Sequence, residues 1–232
     1  VFLLSQKAIR NVMNSSDIKD IAISYGADIV GIAPVERFAQ SPMGHSPVDL
    51  LDACKSVIVL AGVLPQHTLD KDTFTYTAIR NGMVEKMNSA AITLTKYLRK
   101  SKFTAKSIGS LSGKWENGRF MGPISLKHAG ELAGIGIVAR NYLLTNKQYG
   151  NMLWMSAVLT SAELQPDELV KYEMCDNCYT CVEACPASAL QNEHFFSQKD
   201  CRRVCYITKG GTLDLKCWEC RKVCPYRFGI NN

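Results

Sequence analysis

Apolar residues recur at helical spacing in two long segments. From Ser15 onward, Ile18, Ile21, Ala22 and Tyr25 share one face. Ser15 or Ser16 can cap that helix, Asp17 suits its first turn, and Gly26 ends it. Residues 80–100 repeat the pattern, with Val84, Met87, Ala91, Leu94 and Leu98 as the inward stripe of a long helix. ADIVGIA (27–33) and SVIVLAGVL (56–64) are unbroken apolar runs too short for core helices, and they predict buried strands. FTAKSIG (103–109), IGIVA (135–139) and NMLWMSAVLT (151–160) predict further strands, and Leu126–Leu132 a short helix. Residues 34–50 carry Pro34, Pro42, Gly44 and Pro47 and read as loop. LSGKWENGRFMGP (111–123) reads as an ordered, glycine-rich loop. After Asp167 short polar segments alternate with cysteines, so a boundary is placed near 170. This divides an α+β domain over 1–169 from a smaller one over 170–232.

The chain has 232 residues, 47% hydrophobic and 21% charged, which argues against disorder. At roughly 150 residues per domain, that length suits one or two domains. The apolar run Val57–Leu64 is far short of the ~20 residues that a membrane span needs. The opening VFLLSQKAIRNVMNSS lacks the basic-then-apolar layout of a secretory signal, so a cytoplasmic location is expected. The formal charge is +6 with every cysteine counted neutral. Eight thiolates on two clusters with core charges of about +2 would lower it to roughly +2. No long Lys/Arg run is present, and nucleic acid is not expected as a partner.

Cysteine changes this picture most. Nine of the ten cysteines lie between Cys175 and Cys224, the tenth being Cys54. Clustering of this kind reads as metal binding in a reducing compartment. The first run is Cys175-x2-Cys178-x2-Cys181-x3-Cys185-Pro186, and the second is Cys217-x2-Cys220-x3-Cys224-Pro225. A cubane offers one open position on each of its irons. A short loop can place three thiolates there, while the cysteine beside proline serves the other cluster. The spacing therefore puts Cys175, Cys178, Cys181 and Cys224 on one [4Fe–4S] cluster and Cys185, Cys217 and Cys220 on a second. When the runs are aligned on Cys-Pro, Asp214 stands where a fourth thiolate is missing. Cys201 or Cys205 can supply it, with the Asp214 carboxylate as a third option. Zinc also uses CxxC pairs but rarely a CxxCxxCxxxCP run. Cys54, next to a buried strand, reads as a small core residue.

The stretch SLKHAGELAGIGIVARNYLLTNKQYGNMLWMSAVLTSAEL, followed by CDNCYTCVEACPASAL, resembles the epoxyqueuosine reductase and reductive dehalogenase group. The matching features are Ala133-Gly134-Ile135-Gly136, Arg140-Asn141, Leu143-Leu144, Asn146, Gly150, Leu159-Thr160 and Glu163-Leu164, with IKDIAISYGADIVGIAPVE earlier. The resemblance implies a nitroreductase-like N-terminal domain holding a corrinoid (cobalamin), with a C-terminal two-cluster ferredoxin-like module packed on it. It favours Cys201 over Cys205, because the family's lone cysteine follows a pattern like FSQKDC. The implied function is an iron–sulfur oxidoreductase that passes electrons through two [4Fe–4S] clusters to the corrinoid. A ferredoxin- or flavodoxin-type donor would supply them, and the substrate is unidentified. The alternative is an electron-transfer protein that docks a redox partner and does no chemistry of its own. For the corrinoid, Gly134 and Gly136 would allow close approach, Arg140 and Asn141 would meet edge carboxamides, and Tyr149-Gly150 would turn the chain beside it. Trp115 or Phe120, in the Gly113–Gly122 loop, would cover the open face. Otherwise Trp115, Trp154 and Trp218 read as packing, with Trp218 shielding a cluster.

Three departures stand out. The chain runs only eight residues past Cys224, where these reductases continue into helical repeats, so a short form is expected. Met121-Gly122 stands where they carry a proton-donating aspartate, leaving Glu116 or Arg119 as substitutes or as a solvated pair. Ala139-Arg140 stands where they often have Gly-Lys. The four histidines, His45, His67, His128 and His194, show no metal spacing.

Overall fold

The computed structural model describes residues 13–116, 119–192, 195–209 and 212–230. His194 and the opening residues 1–12, on which the absence of a leader was judged, lie outside them. The chain opens with α1 (Ser15–Ser24), β1 (Ile29–Pro34), α2 (Pro47–Leu50), β2 (Ser56–Val63), α3 (Thr73–Lys100) and β3 (Ala105–Ile108). A hairpin follows, β4 (Lys114–Glu116) with β5 (Arg119–Met121), then α4 (Leu126–Leu132), β6 (Ile137–Val138), β7 (Leu144–Thr145) and β8 (Leu153–Thr160). The cysteine-rich part contains α5 (Thr180–Glu183), β9 (Leu190–Asn192), β10 (Phe195–Phe196), α6 (Gln198–Cys205), β11 (Tyr206–Lys209), β12 (Thr212–Leu215) and α7 (Glu219–Lys222). Among the described residues no helix is long and apolar enough to cross a membrane.

Four strands pair antiparallel in the order β1-β2-β8-β3. The unbroken apolar run of β2 has a simple cause, since both faces of the sheet are covered. Ile58 and Leu60 of β2 meet Ile18 of α1 and Met87, Leu94 and Leu98 of α3. The alternate residues Val57, Val59 and Ala61 meet Ala129 of α4 and Ala133 on the opposite face. Helix and sheet periodicities thus agree on one α+β core.

Several boundaries differ from the sequence reading. Asn14, not Ser15 or Ser16, caps α1, accepting from the Ser16 N–H at 3.1 Å. α3 starts earlier than expected because Asp72 caps it, accepting from the N–H groups of Phe74 and Thr75. The loop at 34–50 holds a 3-10 turn over Val35–Phe38 as well as α2. The glycine-rich loop at 111–123 contains the β4–β5 hairpin, with Trp115 opposite Phe120. Cys54 is buried and its thiol donates to the Ser56 carbonyl, as expected of a core residue.

The cysteine-rich part docks along α3 and the 140–151 segment. Tyr76 of α3 stacks on Trp218 with ring centres 3.9 Å apart and planes 8° from parallel. Thr77 accepts from the Leu215 N–H at 2.8 Å. Just before residue 170 the chain is pinned to the α+β part, since the Asp167 carboxylate accepts from Ile32 N–H and pairs with Lys19. Gly150 lies in the left-handed region (φ +59°), where a Cβ would collide with the carbonyl oxygens of Tyr226 and Arg227.

Gly150→Ala is expected to lower stability by at least about 2 kcal/mol, from left-handed strain plus overpacking. That corresponds to a melting temperature about 4–8 °C lower. Gly82→Ala, inside α3 with open space around it, should hold or raise the melting temperature. Thermal unfolding of both variants, followed by circular dichroism, checks the pair.

Candidate metal centre

Short loops and one-turn helices present the thiols. Cys175 (φ 71°) and Asn177 (φ 51°) both take left-handed backbone, which tightens the first cysteine turn. Cys178 N–H closes it on the Cys175 carbonyl at 3.1 Å. α5 then carries Cys181, and α7 carries Cys220 with Cys224 just beyond it. α6 places Cys201 and Cys205 four residues apart, on one helical face.

Two groups of thiols result. Cys181 and Cys224 each lie within electrostatic reach of both Cys175 and Cys178. Separately, Cys185, Cys201, Cys205, Cys217 and Cys220 line one cavity of ≈ 260 Å³. The chain has thus brought together the two sets that the cysteine spacing separates, with Cys205 beside the second. Asp214 sits in β12 opposite Ile207 and does not line the cavity. Among the described residues no three His, Cys, Asp or Glu side chains converge as a single ion would require. A cubane asks for a looser ring, one thiolate at each of four corners. The surrounding groups suit sulfur, since Ala189 N–H donates to the Cys185 sulfur at 3.3 Å and the Asn151 amide bonds that of Cys224.

The free thiols resist ionisation. Burial pushes Cys181 up to about 11 and Cys220 up to about 12, and raises Cys217 and Cys224 as well. Cys201 moves the other way, to about 7, chiefly through its hydrogen bond with Cys205. The same bond is the main cause of the rise at Cys205, so Cys205 keeps the proton and donates it toward Cys201. Metal coordination deprotonates a thiol outright, overriding the burial cost.

The residues expected at a corrinoid have other tasks. A Cβ on Gly134 would collide with the Glu168 carbonyl, and one on Gly136 with that of Thr145. These glycines, like Gly150, admit protein backbone. Arg140 donates from Nη2 to the Cys175 carbonyl at 2.9 Å and lies over the Tyr179 ring. Asn141 donates from Nδ2 to the Cys220 carbonyl at 3.1 Å and accepts from Leu143 N–H. Tyr149 N–H is held by the Asn146 side chain, and Tyr149 packs against the sheet. Of these six positions, Arg140, Asn141 and Gly150 meet the cysteine-rich part, while Gly134, Gly136 and Tyr149 pack within the α+β part.

The reading of Trp115 as packing is corrected. Trp115 is 58% exposed and does not pack in the core. With Phe120 and Tyr206 it surrounds Arg202 of α6, at 5.3, 4.6 and 5.4 Å from the three ring centres. Gln198 of α6 holds that hairpin by bonds to both N–H and C=O of Phe120. Glu116 pairs with Lys114 at 2.6 Å and lies 3.6 Å from His45, a surface cluster. His128 bonds to Ser125 at 2.7 Å. Sequence reasoning missed Lys127, which burial lowers to about 8 and whose Nζ donates to the Tyr142 carbonyl at 3.1 Å. It lies 4.8 Å from the centre of the Tyr142 ring, which stacks with Phe196 beside the thiol cavity. A single lysine on a short helix gives no periodic signal to find it by.

Comparison with known proteins bears on the first cysteine run and on the fold. Residues 169–191 match the family described as a 4Fe-4S binding domain. The chain is 32% identical over 110 residues to the epoxyqueuosine reductase of Lactococcus garvieae, covering 43% of this chain and 31% of that protein. It is 30% identical over 118 residues to that of Bacillus subtilis, covering 47% and 30%. The matches thus span about a third of the relatives' length. An epoxyqueuosine reductase solved with a tRNA-Tyr epoxyqueuosine-modified stem loop superposes with a TM-score of 0.65 at 22% identity, covering 91% of this chain and 64% of that one. A reductive dehalogenase whose structure suggests a mechanism for B12-dependent dehalogenation gives 0.69 at 17% identity, covering 95% and 33%. The sequence resemblance to this group is therefore upheld, and the fold is shared with both. That relative was solved with a tRNA stem loop, which stands against the expectation that nucleic acid is no partner.

Cys201→Ala should lower iron and sulfide from about eight to about four of each per chain, while Cys205→Ala should leave both at about eight. Anaerobic metal and sulfide analysis reads the outcome; the reverse pattern would move the ligand role to Cys205.

Proposed function

We propose that this chain is the redox portion of an iron–sulfur oxidoreductase related to epoxyqueuosine reductase, with two [4Fe–4S] clusters that deliver electrons to a site on the α+β domain. The observation that carries this reading is the cavity ringed by Cys185, Cys201, Cys205, Cys217 and Cys220, with a second thiol group beside it. Cys175, Cys178, Cys181 and Cys224 would hold one cluster; Cys185, Cys201, Cys217 and Cys220 would hold the other. Bound there, the clusters accept and release single electrons. The chain's own residues fix the thiols through Arg140, Asn141 and Asn151, and exclude water with Tyr142, Phe196 and the Tyr76–Trp218 stack.

In this reading the N-terminal domain is of the nitroreductase type and the donor is a small ferredoxin or flavodoxin in the cytoplasm. The substrate is an epoxide-bearing tRNA nucleoside rather than an organohalide, because the sequence likeness near 30% identity is to the epoxyqueuosine reductases. A corrinoid acceptor is supported by likeness in fold to the B12-dependent dehalogenase. A role confined to electron transfer has no comparable support among the relatives.

Anaerobically purified protein should contain about eight irons and eight sulfides per chain. A stoichiometric zinc without sulfide would refute the cluster reading. Adding cob(II)alamin should shift its spectrum and make it co-elute with the protein at micromolar concentration. Absence of both effects would remove the corrinoid and favour the electron-transfer role.

A further inference from the structure

Arg221 stands between Cys220 and Cys224 on α7, and only 5% of it is exposed. Its Nη1 is buried with no hydrogen-bond partner, and among the described residues it forms no ion pair. A guanidinium does not lose its proton in proteins. An unpaired buried charge is costly, so the site requires an anion nearby. No carboxylate of the described residues supplies one. The adjacent Lys222 differs, since it reaches out to Asp70 at 3.2 Å and is well solvated. The backbone holds Arg221 inward, because its N–H donates to the Trp218 carbonyl at 2.9 Å and its own carbonyl accepts from Asn151 Nδ2 at 3.3 Å.

We propose that Arg221 is a positioning residue for charge, and that its buried guanidinium raises the reduction potential of the cluster held by Cys185, Cys201, Cys217 and Cys220. The inference rests on the two-cluster reading above. A cluster with a core of about +2 and four thiolates carries about −2 in its oxidised state and about −3 after one electron enters. No bond breaks in that step, and the only change near Arg221 is added negative charge. A fixed cation in a dry site stabilises the more negative state, and hence the reduced cluster. Arg221 adjoins the cavity through its chain neighbour Cys220, whereas Arg202, which lines it, is engaged with three aromatic rings. The cluster beside Asn141 and Tyr142, facing the α+β domain, thereby becomes a favourable place for the electron to rest.

The test is an anaerobic potentiometric titration with dithionite, read by electron paramagnetic resonance, on wild-type protein, Arg221→Gln and Arg221→Lys. Arg221→Gln should lower the midpoint of one cluster by at least a tenfold change in the oxidised-to-reduced ratio, which is 59 mV for one electron. The other cluster should move less, and Arg221→Lys, which keeps the charge, should recover most of the wild-type value. An unchanged midpoint in iron-replete Arg221→Gln overturns the inference alone. If Arg221→Gln loses iron, Arg221→Met fills the space without charge and is held to the same criterion. Loss of iron in both neutral variants also overturns the inference, because Arg221 then acts only in assembly. A wild-type chain without iron and sulfide overturns the cluster reading itself, and this inference with it.

Discussion

Cysteine loops that turn their thiols toward iron leave backbone carbonyls pointing elsewhere, and buried carbonyls require donors. Here the 140–151 segment supplies them. Arg140 reaches the carbonyl of Cys175, Asn141 that of Cys220, and Asn151 that of Arg221. Asn151 N–H adds the carbonyl of Arg227, and in return Ile230 N–H binds that of Lys147. Such contacts demand that two backbones approach closely, so glycine is needed at Gly150, where the chain also turns left-handed. Much of the placement of both thiol groups depends on this one latch.

The latch explains why the segment looks like a cofactor site in the sequence. Arg and Asn side chains next to small residues suit the edge of a planar ligand. They suit a peptide carbonyl equally well, and a one-dimensional pattern does not distinguish a ligand's carboxamide from a loop seventy-nine positions away, as between Asn141 and Cys220. By contrast, the two cysteine groups were legible because iron–sulfur chemistry dictates residue type and spacing together.

The same contrast runs through the fold. β2 and α3 were readable because burial on both faces of a strand, or along one stripe of a helix, writes itself into the order of residues. The early start of α3 depends on a polar cap at Asp72 rather than on an apolar stripe. The β4–β5 hairpin was read as loop because strands of three residues carry almost no pattern, and its anchor, Gln198, lies 78 residues further on. Trp115 was taken for packing on residue type alone, yet it stands largely in solvent beside Arg202.

That anchor has a consequence for how the protein fails. Gln198 opens the helix that also carries Cys201, so the hairpin and the thiol share one support. Oxidative damage that unwinds this helix also sets the hairpin adrift. The order of the hairpin and the placement of the Cys201 thiol are thus lost together.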